Sequence, residues 1–127
     1  MSVITIDETK AFSKSQSAKL SLAGSEFAQR RDAIRWIDGY GYDCSSDDIV
    51  NFFAVYTPLL VAGTGSGEYK VWTSETEKAV VTLTLAQLTT VYNAVRTSQL
   101  EAYAWYEQTK TAINACTTQV ELDAIVW

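Results

Sequence analysis

Thr84 opens a helix of unusual length, and that helix limits what the rest of the chain can build. Thr84 and Gln87 form a T-x-x-Q capping box, in which each side chain satisfies the other's backbone N–H. Leu88, Val91, Tyr92, Val95, Ala102, Tyr103, Tyr106 and Ile113 follow at helical spacing. A helix from Thr84 to Ala115 spans about 48 Å at 1.5 Å per residue. A small core does not cover such a length, so one end is expected to project or to meet a partner. After the break Ala115-Cys116-Thr117, Thr118 and Glu121 form a second capping box. Leu122, Ile125 and Trp127 give the final helical turn an apolar edge, and Ile125 and Trp127 are expected to pack back on the long helix.

Upstream, Val3–Ile6 alternates as a short strand would. Leu20, Ala23, Phe27, Ile34 and Ile37 then mark one face of a helix running from about Ser13 to Ile37. Gly24 within it marks a bend or a close helix contact. Gly39-Tyr40-Gly41-Tyr42-Asp43 ends that helix. Ser45 or Ser46 caps the next, with Asp47 and Asp48 in its first turn, where the helix dipole favours acid. Ile49, Val50, Phe52, Phe53 and Tyr56 make this helix apolar almost all round. It is expected to be the most buried helix, ended or kinked by Pro58. Gly63–Gly67 reads as a connector. It lacks the Lys-Ser or Lys-Thr pair of a phosphate loop. Tyr69–Thr73 and Ala79–Leu83 alternate around a polar tip and predict a β-hairpin. The expected fold is mainly α with a small β-hairpin (α+β), a single domain over 1–127. Its parts are an N-terminal arm 1–12, a helical half 13–62, a hairpin 68–83 and the long helix with a short capped helix over 84–127.

Candidates for chemistry are scarce. Histidine is absent, which removes the commonest general base and metal ligand. Asp47 and Asp48 are explained by the helix dipole, and Glu75 and Glu77 by a solvated hairpin tip. Asp43–Asp47 lacks the alternating carboxylates of a calcium loop. No catalytic, cofactor-binding or metal-ligating residue is assigned, and no enzyme activity is expected. Cys44 and Cys116 do not have the spacing of a metal site. Two free thiols are the expectation, and a disulfide is the alternative if the protein ends up extracellular. A net charge of −5 argues against nucleic acid as the main partner. The one basic cluster, Arg30, Arg31 and Arg35, is diluted by Asp32. MSVITIDETK lacks the basic and apolar regions of a secretory signal. The apolar run Phe52–Ala62 is far short of the roughly 20 residues that span a bilayer, so no membrane partner is expected.

Aromatic residues supply the interface candidates. Tyr103, Trp105 and Tyr106 crowd one part of the long helix, with Trp105 on a different face from the other two. Tyr40 and Tyr42 flank a glycine in a loop and form a secondary patch. Aromatics on two faces suggest contact on both sides. Burial of both faces within the monomer is the competing reading.

The order of these features resembles a small family of bacteriophage tail or tail-fibre-associated accessory domains of unknown function. Its pattern is a Lys-containing helix (here Lys19), a Gly-aromatic turn (Gly41-Tyr42), and a helix with early Asp and Asn (Asp48, Asn51). A hairpin with Trp72, a long helix entered through Val81–Thr84, and a close matching Ile113–Ile125 complete it. The likeness covers roughly residues 18–127. It implies a virion protein made in the bacterial host cytoplasm and present in many copies in a symmetric assembly. The implied role is an adaptor joining a tail fibre or another tail component to the tail, with fibre, baseplate or tube proteins as partners. A fibre-folding chaperone absent from the particle is the alternative.

Overall fold

In the computed structural model, residues 6–127 are described. The strand expected over Val3–Ile6 lies outside them apart from Ile6, which opens a helix. The elements run α1 (Ile6–Asp32), β1 (Arg35–Ile37), β2 (Tyr40–Tyr42), α2 (Ser46–Ala62), β3 (Ser66–Trp72), β4 (Lys78–Thr84), α3 (Leu85–Ala115) and α4 (Gln119–Asp123). The fold is α+β, with long helices and a small antiparallel sheet in the order β1-β2-β3-β4. The chain forms two compact units rather than one continuous core. Met1–Gln29 joins Ala102–Trp127 in the first, and Arg30–Glu101 makes the second.

The second unit holds the sheet. Its first hairpin corrects the expected boundary of the N-terminal helix. That helix stops at Asp32, and Ile37 belongs to a strand. The cause is local. Asp38 and Gly39 both take positive φ, 50° and 88°, the backbone of a type I′ hairpin turn. The pairing Ile37↔Tyr40 closes over them. Arg35 then ends the helix chemically. Its guanidinium donates to the carbonyls of Arg30 (2.7 Å) and Arg31 (2.5 Å), and its Nε donates to Ser98 Oγ (2.9 Å). Carbonyls that a helix end leaves without partners are thereby satisfied.

The second hairpin is longer than its alternation suggested, pairing Ser66↔Thr84 through Trp72↔Lys78. Helix α2 begins at a full capping box. Ser45 Oγ accepts from the Asp48 N–H, and the Asp48 carboxylate accepts from the Ser45 N–H at 3.0 Å. Pro58 does not end α2, which continues to Ala62 and closes on Gly63 in the left-handed conformation. The core gathers Phe52 and Tyr56 from α2, Val71 and Leu83 from the hairpin, and Leu88, Val91 and Val95 from α3. The capping box at Thr84 and Gln87 is present in both directions, at 2.8 and 3.2 Å.

The first unit is helical. Ala23, Ile113, Cys116 and Leu122 form its buried centre, with Phe12, Leu20, Tyr106 and Ile125 packed around them. Two long side chains of α1 tie the C-terminal elements down. Gln16 Nε2 donates to the Ile113 carbonyl at 2.8 Å, and Lys19 Nζ donates to the Leu122 carbonyl. Thr118 caps α4 through the Glu121 N–H (3.2 Å). The Glu121 carboxylate departs from the expected box. It takes the Thr118 and Thr117 hydroxyls and the Thr117 N–H. These hydrogen bonds hold the Glu121 carboxyl below its ordinary range, Thr117 contributing most.

Length alone therefore does not leave α3 uncovered. Leu88, Val91 and Val95 serve one core, while Tyr106 and Ile113 serve the other.

Candidate functional site

The five expected interface residues fare differently. In the first unit, Tyr106 stacks on Phe27, with ring centroids 4.7 Å apart and planes at 12°. Lys110 Nζ sits 4.5 Å over its outer side. Trp105 meets Trp127 edge to face at 5.6 Å, which covers the other aromatic face of α3 from within the chain. Tyr103 touches Phe27 only at its edge (6.1 Å) and is 55% exposed. Trp105 and Tyr106 are thus half-buried against rings of the same chain, and Tyr103 presents most of its surface.

In the second unit, Tyr40 and Tyr42 are strand residues rather than loop residues. Tyr42 is a core residue at 4% exposure, which corrects its assignment to a surface patch. Alternation along the short strand turns Tyr40 and Tyr42 to one face. Tyr40 packs partly buried against the same core. Burial pushes the Tyr42 phenol up to about 12, helped by neighbouring Tyr40 and Asp38.

The surface that sequence reasoning missed is on α2. This helix is apolar almost all round and is expected to be the most buried, yet only Phe52 and Tyr56 are buried in it. Ile49, Val55 and Leu59 extend that inner face as partly buried neighbours. Outward lie Val50 (68% exposed), Phe53 (39%), Leu60 (54%) and Val61 (84%). At 3.6 residues per turn these four share one arc about 100° wide. The signal was present. A small antiparallel sheet offers one face for a helix to cover, so a helix apolar on every side has more apolar surface than that face can take.

The first unit has an apolar depression between Ala18 and Leu22 of α1 and the C-terminal residues Ile125, Val126 and Trp127. Lys19 lies 5.9 Å from the Trp127 ring centroid there. Both cysteines are free and buried, and burial pushes the Cys44 thiol up. Among the described residues, no group of His, Cys, Asp or Glu is placed to hold a metal ion. No helix among them is long and apolar enough to cross a membrane.

Residues 16–126 match the family model for a domain of unknown function, DUF4376, and the chain belongs to that family. No curated protein matches it. No solved structure matches it either.

Proposed function

We propose that this member of the DUF4376 family is a non-enzymatic accessory protein of a bacteriophage tail, an adaptor that joins a tail fibre or another tail component to the tail. The carrying observation is the uncovered apolar arc of α2. Exposed large apolar side chains gathered on one arc of a helix mark a candidate protein-contact site. Val50, Phe53, Leu60 and Val61 are held on a rigid helix capped at both ends. Tyr103 adds a half-exposed aromatic ring in the other unit. The tail assignment rests on the order of features that resembles tail-associated accessory domains, from Lys19 to the close at Ile125. Lys19 and the Thr118–Glu121 cap both anchor the C-terminal segment, so these matching positions have structural work in this chain.

Mass spectrometry of purified virions tests the reading. An adaptor is expected at stoichiometric copy number. A V50S/V61S double variant should fold normally and fail to enter the particle. Expression in infected cells without incorporation would replace the adaptor by the fibre-folding chaperone. Normal incorporation of the double variant would remove α2 from the interface.

A further inference from the structure

The second unit contains a cavity of about 220 Å³ beneath α2 and α3. Its apolar walls include five aromatic rings, Tyr42, Phe52, Phe53, Tyr69 and Tyr92. An apolar cavity of about 150 Å³ is enough to admit benzene. This one has room for one ring and a short substituent. The rings are locked by their mutual packing. Phe52 meets Tyr69 edge to face at 5.6 Å, and Phe53 meets Tyr92 at 5.8 Å.

Polar groups at the cavity are unevenly committed. Asp43 contributes a carboxylate, but Trp72 Nε1 donates to one oxygen at 2.9 Å and Lys78 Nζ to the other. Burial alone would push that carboxyl up, yet those partners hold it below its usual range. The Tyr69 hydroxyl donates to the Asp48 carbonyl at 3.2 Å. Gln99 Nε2 donates to the carbonyls of Arg31 and Cys44. Two donors remain. Arg96 lines the cavity and makes no ion pair with any described residue. Tyr42 is more than nine-tenths buried, and its hydroxyl has no hydrogen-bond partner among the described residues. It is not sealed from solvent, since every fully occluded side-chain N or O there has a partner.

We propose that this cavity is a binding site for a single aromatic ring carrying a carboxylate, with the ring against the wall formed by Phe52, Phe53 and Tyr92 and the acid on Arg96 and the Tyr42 hydroxyl. Guanidinium pairs with carboxylate in a planar, charge-assisted geometry, and the buried phenol supplies the neutral donor. The few polar groups fix orientation while the rings supply apolar contact. The site does not depend on the tail assignment. A free aromatic acid and the C-terminal aromatic residue of a polypeptide offer the same chemistry.

Titration of the full-length chain with phenylacetate, followed by amide NMR, tests this. Shifts confined to residues around Phe52, Tyr69 and Val95 are expected, with affinity falling at least five-fold in Arg96→Gln and less in Tyr42→Phe. Phenylacetamide should bind weakly and be insensitive to Arg96→Gln. Arg96 is exposed, so its variant should keep the wild-type melting temperature. No saturable shift at millimolar phenylacetate overturns the proposal. So does binding that Arg96→Gln leaves unchanged, or equal affinity for the amide. A second titration, with a tetrapeptide ending in Phe as the free acid, separates the two sources. Binding tighter than phenylacetate assigns the site to a chain terminus, and exclusion of the peptide assigns it to a free acid.

Discussion

Gly41 has almost no room for a side chain. It pairs with Trp36 on one strand and Trp72 on the other. A Cβ there would meet Trp72 Cβ at 2.9 Å and the Trp36 ring at 3.1 Å. The Trp72 Cβ is fixed to backbone and cannot swing away. Gly41→Ala should therefore destabilise the second unit by about 1–3 kcal/mol, as overpacking does. Urea unfolding followed by Trp fluorescence measures it, and an unchanged midpoint would show that the strands give way freely. Tyr42 and Tyr69 make a second residue-level case. Burial pushes both phenols up to about 12. An unfolded tyrosine ionises near 10. Below pH 10 the phenols are neutral in both states, so nothing is lost. Between about pH 10 and 12 only the unfolded chain releases these protons, and stability should fall through that window. Absorbance of the phenolate against pH checks this. Two tyrosines should titrate late and together with unfolding, and ordinary titration of all seven would contradict it.

At the scale of elements, legibility followed locality. The cap at Thr84 was readable because its partner lies three residues away, and the cap at Ser45 was narrowed to two adjacent serines for the same reason. The hairpin β1–β2 is equally local, yet Gly39–Asp43 reads in the sequence as the end of a helix. Ile34 and Ile37 continue the helical spacing of Leu20, Ala23 and Phe27, and that spacing masks the turn. The faces of α2 were not legible, because periodicity cannot tell which apolar side a small sheet covers. Two substitutions read those faces out. Phe52 is 7% exposed and packs on Tyr56 and Tyr69. Phe52→Ala should cost about 3–5 kcal/mol. Phe53 is 39% exposed, and Phe53→Ala should cost less than half as much in the same urea titration. Equal losses would mean that the outer arc is covered in solution.

For the whole molecule, the division into two cores decides what damage at one place can reach. Ile125 packs against the centre formed by Ala23, Ile113, Cys116 and Leu122, and Trp127 closes on Trp105. Those residues all belong to the unit of Met1–Gln29 and Ala102–Trp127. Leu88, Val91 and Val95, further up the same helix α3, bury their side chains in the other core. Opening free energies can differ between such cooperative segments of one chain. Deleting Ile125–Trp127 strips apolar cover from the first core and leaves every buried member of the second in place. The melting temperature of the first unit should fall by several degrees, as a loss of about 1–2 kcal/mol gives in a small domain. Hydrogen exchange resolves where the loss goes. Amides around Leu20–Ala23 and Tyr106–Ile113 should exchange faster, while those of Val71, Leu83 and Val91 keep their protection. Uniform acceleration along the whole chain would show that α3 welds the two cores into one cooperative body, so that a helix serving two cores also transmits the failure of either.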